Sequence, residues 1–269
     1  MRIQEFLYLC MAHWQWFIVS IVVCLGLAFL YLKVTAPTYS KSASILIKTD
    51  SNGNSISGTA GMFEDLGMYS GNSSVNNEVA LIKSPDIMRE AVRRLNLEIA
   101  YSVDGKFRKQ ELYGSTLPVQ VQLPDMKEDA SASFRLSLKP NGEFTVSGIT
   151  LNGNELNRND IQGRIGTPLK TPLGTMIVNP AENYNGNEAL DINVSRIPVK
   201  KIASAFSGGL TVTQDEDSWD IVNIGFTDTN PERAEDLIRT IIACYNDRWM
   251  KDKRELADNS SKFIDERIQ

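Results

Sequence analysis

At 269 residues, with 42% hydrophobic and 23% charged side chains, the chain has an ordinary folded protein's composition and enough length for one or two cores. A formal net charge of −5 argues against nucleic acid as a partner, since such binders present a basic face. One histidine (His13) and three cysteines (Cys10, Cys24, Cys244) exclude a disulfide framework. They also leave no imidazole after residue 13 for zinc, a Ser–His pair or general acid–base work.

The first element is the most apolar. Trp14, Trp16, Phe17, Ile18, Val19, Ile21, Val22, Val23, Leu25, Leu27, Phe29, Leu30 and Tyr31 fill a stretch of the length a helix needs to cross a bilayer. In lipid every amide must be bonded internally, so the stretch is a helix if it sits there. Trp14, Trp16 and Tyr31 lie near its ends, where aromatic rings favour the headgroup zone, and Lys33 closes it. A membrane anchor over 14–33 is expected. A cleaved signal peptide would use Val34-Thr35-Ala36, but Pro37 would follow the cut and the apolar run is too long. A buried core helix would show more polar interruptions. Lys33, Lys41 and Lys48 follow the stretch and only Arg2 precedes it, which runs slightly against a cytoplasmic N-terminus; large domains translocate largely regardless of such charges.

Tyr39–Thr49 alternates through Ala43, Ile45 and Ile47 and reads as a strand. Ser51–Asn77 is rich in Gly, Ser and Asn around an apolar island, Met62, Phe63, Leu66, Met68 and Tyr69, and reads as either a functional loop or a linker with a sticky tip. Asn77–Leu95 has helical spacing interrupted at Ser84-Pro85, so two helices are expected, the second with Ser84 as N-cap and Pro85 at its first position. Strands follow at Leu117–Leu123, Phe134–Lys139, Glu143–Ser147, Thr175–Val178 and Leu190–Arg196, with a hairpin at Pro140-Asn141-Gly142. Pro198–Phe206 is expected as a short helix ended by Gly208-Gly209, before strands at Leu210–Gln214 and Ile221–Phe226.

A long helix closes the chain. Thr229 and Glu232 have capping-box spacing, and no Gly or Pro occurs from Glu232 to Gln269. Ile242, Trp249, Leu256 and Phe263 recur every seven residues and form one stripe, which makes them candidate oligomer contacts. The companion positions Tyr245, Asp252, Asn259 and Glu266 are mostly polar, leaving the seam half-made. The alternative is an amphipathic helix packed on its own domain. The last residue falls inside this helix without a stop signal, so continuation is expected. The fold class is therefore α+β: an N-terminal transmembrane helix, a mixed, mostly antiparallel sheet with packed helices, and a long extended C-terminal helix.

Chemistry is sparse. Neither a phosphate-binding Gly-Lys loop nor a calcium loop is present, and Cys244 has no His partner. Asp125 with Glu128 and Asp129, and Asp215 with Glu216 and Asp217, are neighbours on turns rather than carboxylates converging across a cleft. No catalytic residue, cofactor or metal is expected.

In order and spacing the chain resembles the Wzz-type chain-length determinants, or polysaccharide co-polymerases, of bacterial envelopes. The resemblance rests on Pro37, Tyr39 and Ala43 after the span; on Asn77, Glu78, Leu81, Ile82 and Ser84; on Leu95, Leu97 and Tyr101; and on Asp228, Asn230, Pro231, Ala234 and Tyr245. It implies a non-enzymatic inner-membrane scaffold with a short cytoplasmic N-terminus (1–13), a periplasmic α+β domain (34–228) and the start of a long periplasmic helix (229–269). Such domains assemble into a ring and set polysaccharide length together with a membrane polymerase, a lipid-linked glycan and an outer-membrane export channel. A second span beyond residue 269 is implied, and some relatives carry a tyrosine kinase after it. The chain has no Walker motif or tyrosine-rich tail and looks like the N-terminal portion of such a protein. Two other classes compete: the ligand-sensing domain of a membrane receptor, and a periplasmic hydrolase working through the carboxylates.

Overall fold

The structure is a computed structural model describing residues 14–47, 71–105, 108–157, 159–186, 189–215, 217–218 and 220–268, without the side chains of 71–74, 157, 256, 257 and 259–268. The chain divides into two units, Met1–Pro37 with Gly105–Lys109, and Thr38–Asp104 with Gln110–Gln269.

The first unit is dominated by helix α1, Trp14–Val34. Its 21 residues rise ~31 Å, about the thickness of a hydrocarbon core. None of its side chains is buried by protein, so its apolar residues face outward all round. By length and composition it is a helix that can cross a membrane. Lys33 lies 5.5 Å from the Phe29 ring centre at the C-terminal end, where a cation also suits the helix dipole.

The second unit is α+β and has two hydrophobic cores. The first core lies on a three-stranded antiparallel sheet ordered β1 (Tyr39–Leu46), β13 (Ile221–Asp228), β12 (Leu210–Gln214). Packed with it are α2 (Gly71–Ile82), α3 (Pro85–Arg94), α4 (Val199–Gly209) and the base of α5 (Pro231–Ile268). The expected break at Ser84 is present: its hydroxyl accepts from the Ile87 amide at 3.4 Å, with Pro85 opening α3. Ile87, Met88, Ala91 and Val92 then form the buried face of α3. The expected loop to Asn77 is corrected, because helix α2 already begins at Gly71 and seats Val75 fully in the core. The Met62–Tyr69 island lies outside the described residues.

The second core is built from strands and the loops that join them. A seven-stranded sheet runs β3 (Lys109–Leu112), β2 (Ile99–Asp104), β11 (Leu190–Arg196), β5 (Ala132–Leu138), β6 (Glu143–Leu151), β7 (Asn154–Asn157), with β8 (Ile161–Arg164) also on β6. A three-stranded sheet, β4 (Val119–Gln122), β10 (Gly174–Pro180), β9 (Leu169–Thr171), shares its apolar face with it. Alternation explains the shared core: Val119 and Val121 point in from β4, Phe134, Leu136 and Leu138 from β5, and Ile192 and Val194 from β11. The Pro140-Asn141-Gly142 hairpin joins β5 to β6, with Asn141 at φ 84° and Gly142 at φ 76°, the left-handed conformations those residue types tolerate. Three sheets replace the single one expected; β3, β7, β8 and β9 have too little hydrophobic alternation to be seen in the sequence, whereas β2 alternates through Ile99, Tyr101 and Val103 and is not among the expected strands.

Two helix boundaries also differ from expectation. Helix α4 runs through Gly208 and Gly209 straight into β12; a side chain at Gly209 would come within 3.1 Å of the Phe226 ring, so glycine allows close packing there. Helix α5 is capped by Asn230, not Thr229. The Asn230 Oδ1 accepts from the Glu232 and Arg233 amides at 2.9 and 3.1 Å, while the Glu232 carboxylate turns away to a different partner. Asn230→Ala should therefore lower the unfolding free energy by about 1 kcal/mol, measured by urea titration, and Asn230→Asp should retain most of it.

Candidate functional site

Three features of the second unit are arranged for more than simple packing: the free part of α5, a polar clasp at its base, and a cavity beside the clasp.

Ala234, Leu237, Ile238, Ile241, Cys244 and Tyr245 bury the first turns of α5 in the first core. The Tyr245 hydroxyl donates to Glu78 Oε2 on α2 at 2.9 Å, and burial, then the Glu78 contact, raises its pKa. Arg94 donates to Asp247 at 2.8 Å and to Glu90 at 3.1 Å. From Asn246 to Glu255 every side chain is exposed. The stripe thus crosses a boundary: Ile242 is half-buried against the core, and Trp249, two turns further, is 38% exposed beside Met250 at 46%. Lys253 sits 5.3 Å from the Trp249 ring centre. The side chains of Leu256 and Phe263 lie outside the described residues.

The clasp joins α5 to β3 and the short 3-10 turn Gly114–Thr116 through alternate residues. Arg233 holds Asp228 with two hydrogen bonds, Nε to Oδ2 at 2.7 Å and Nη2 to Oδ1 at 2.5 Å, and reaches Glu111 Oε2 at 2.7 Å. Tyr113 donates to Asp236 Oδ2 at 3.0 Å. Glu232 accepts from the Ser115 amide and hydroxyl at 3.0–3.2 Å. Glycine suits position 114, whose φ is +53°, and a Cβ there would displace the Glu232 carboxylate, 2.3 Å away, from its Ser115 bonds. Burial pushes the Asp228 pKa up, but the Arg233 bonds and charge, the Asn230 amide and the Thr229 hydroxyl outweigh it and hold the carboxyl below its ordinary value. Burial, then the nearby Asp236 charge, raises Tyr113 and keeps it a donor.

Beside the clasp is a cavity of about 590 Å³, walled by both cores. Glu111, Tyr113 and Arg233 of the clasp line it, with Phe206 from α4, Tyr101 and Glu98 near β2, and Arg196 from the end of β11. The Tyr101 hydroxyl accepts from the Val121 amide at 2.8 Å, and burial pushes its pKa up to about 12.

The carboxylate clusters are turn structure. Asp125 accepts from the Thr175 amide at 2.8 Å, and the Thr175 side chain, then that amide, lower its pKa. Glu128 pairs with Arg93 at 3.2 Å, and Asp215 accepts from the Asp217 and Ser218 amides. Glu216 lies outside the described residues. Among the described residues no three His, Cys, Asp or Glu groups are placed to hold a metal. The clasp escaped the sequence reading because β3 has no apolar pattern; Arg196 and Asp228 left one signal, each being a charge at an inward position of an alternating strand.

These features define an α+β domain carrying an apolar helix long enough to span a bilayer and a terminal helix that leaves its own core. In comparison with known families, residues 3–95 match Wzz, the chain length determinant protein family, in agreement with the resemblance seen in the sequence. The match covers α1, β1, α2 and α3. No curated protein matches the chain. The matched residues do not form a core of their own: β1 pairs with β13 along its whole length, and α2 and α3 share their core with α4 and α5. The match supports a chain-length-determinant role in polysaccharide biosynthesis, and α1 fits a single membrane span.

Proposed function

We propose that this chain is an inner-membrane scaffold that assembles into a ring and regulates chain length in the synthesis and export of a surface polysaccharide such as O-antigen, capsule or exopolysaccharide. The observation that carries the reading is the Wzz match over α1, β1, α2 and α3, the last two of which share the first core with the base of α5. Residues 14–33 anchor the chain, 1–13 are cytoplasmic, 34–228 form the periplasmic domain and 229–269 begin the long helix. A second span lies beyond residue 269. The partners are other copies of the chain, a polysaccharide polymerase with its lipid-linked glycan, and an outer-membrane export channel.

The exposed face of α5 is the contact surface, with Ile242 at its root, Trp249 above it, and Leu256 and Phe263 continuing the stripe. Aromatic residues are typical anchors of such interfaces. Trp249→Asp should reduce the particle mass in detergent by at least half, by light scattering. In a strain lacking the native gene, it should also replace a narrow polysaccharide length distribution by a broad one on a gel. Unchanged mass and unchanged lengths would remove the assembly role from this face.

A further inference from the structure

Arg196 is the unusual residue of the cavity wall. It is 8% exposed, yet no carboxylate of the described residues lies within ion-pair distance. Burying a guanidinium without a paired charge is costly unless its donors are used. Its Nη1 donates to Lys127 O at 2.7 Å and Ala130 O at 3.3 Å, which holds the β4–β5 loop. Nε and Nη2, also donors, make no hydrogen bond to the described residues. Glu98 lines the same cavity, and its buried Oε2 has no donor. Arg233 is different, since Asp228 and Glu111 already neutralise it.

The unmatched charges of the wall are therefore one positive, Arg196, and one negative, Glu98. A net anion would meet the Glu98 carboxylate and a net cation the Arg196 guanidinium. A neutral ligand with groups that both donate and accept satisfies the two together. Hydroxyl groups have that property, and Gln120 and Tyr113 add further polar groups to the same lining. The volume lies inside the about 300–1,000 Å³ range of small-ligand sites.

We propose that the cavity between the two cores binds a short, uncharged saccharide, with Arg196 donating to its hydroxyls and the Glu98 carboxylate accepting from them. The site stands on this lining alone and does not depend on the scaffold reading. The test is saturation-transfer NMR on the full chain in detergent, using glucose, galactose, N-acetylglucosamine, rhamnose and maltotriose as probes. Glycerol and glucuronate serve as controls. At least one neutral sugar should receive saturation on its ring protons, well above either control. Ile99→Trp, which adds bulk to the cavity wall on the face of β2 that carries Tyr101, should reduce that signal at least fivefold without moving the melting temperature by more than a few degrees. Arg196→Lys keeps the charge but loses the fork of donors, and should weaken the signal similarly, so it decides the matter if Ile99→Trp does not fold. No signal from any sugar, a stronger signal from glucuronate, or a signal that survives the substitution in a folded variant would overturn the assignment.

Discussion

Arg233→Met should cost about 3–5 kcal/mol of folding stability, a fall in melting temperature on the order of 10 °C for a domain of this size. The reason is the carboxylate left behind. Asp228 has a side chain only 5% exposed, and Arg233 provides both of its charge-assisted bonds; only the Asn230 amide at 3.1 Å and the Thr229 hydroxyl at 3.2 Å remain. Glu111 would lose its cation as well, but it is half-exposed and water can replace the bond. The pH dependence gives a second signature. In the wild type the Asp228 pKa lies below its ordinary value. Its contribution is thus complete above the unfolded pKa of about 3.9 and is lost as pH falls through the folded value. In the variant, burial without the arginine places the carboxyl above the ordinary value, so acidification relieves the penalty. The stability gap between the two proteins should narrow from pH 7 toward pH 4. A constant gap would mean that Asp228 finds another partner.

The second large effect separates the two halves of α5. Leu237 is fully buried in the first core, so Leu237→Ala should cost about 2–5 kcal/mol through lost transfer energy and the cavity left behind. Trp249→Ala removes a larger side chain from the exposed stretch and should change the unfolding free energy of the separated subunit by less than about 0.5 kcal/mol. Urea titration at protein concentrations below assembly measures both. Similar losses would show that Trp249 packs on its own domain, and would take away the free face on which the scaffold reading depends.

That contrast also bears on what a seven-residue repeat can tell. Ile242, Trp249, Leu256 and Phe263 share one stripe by spacing, yet Ile242 belongs partly to the core and Trp249 does not. Periodicity fixes which face a residue occupies, not what that face meets. The apolar helix near the N-terminus, the break at Ser84-Pro85, the Asn-Gly hairpin and the start of the last helix were legible because each is decided within a few residues of chain. Apolar length, missing amide protons and left-handed turns are local properties.

Sequence alone, then, determined the apolar N-terminal helix, the α+β class, and most of the stretches where the alternation of strands is clean. Tertiary structure decided the rest, because the relevant energies arise between residues far apart in the chain. The division of the strands into three sheets over two cores, the choice of Asn230 over Thr229 as cap, and the grip of Arg233 on Asp228 and Glu111 all depend on what lies opposite. Asp228 and Arg196 show the limit most clearly. Alternation places both on the buried side of their strands, but a buried charge is tolerable only with a partner, and no local pattern names that partner.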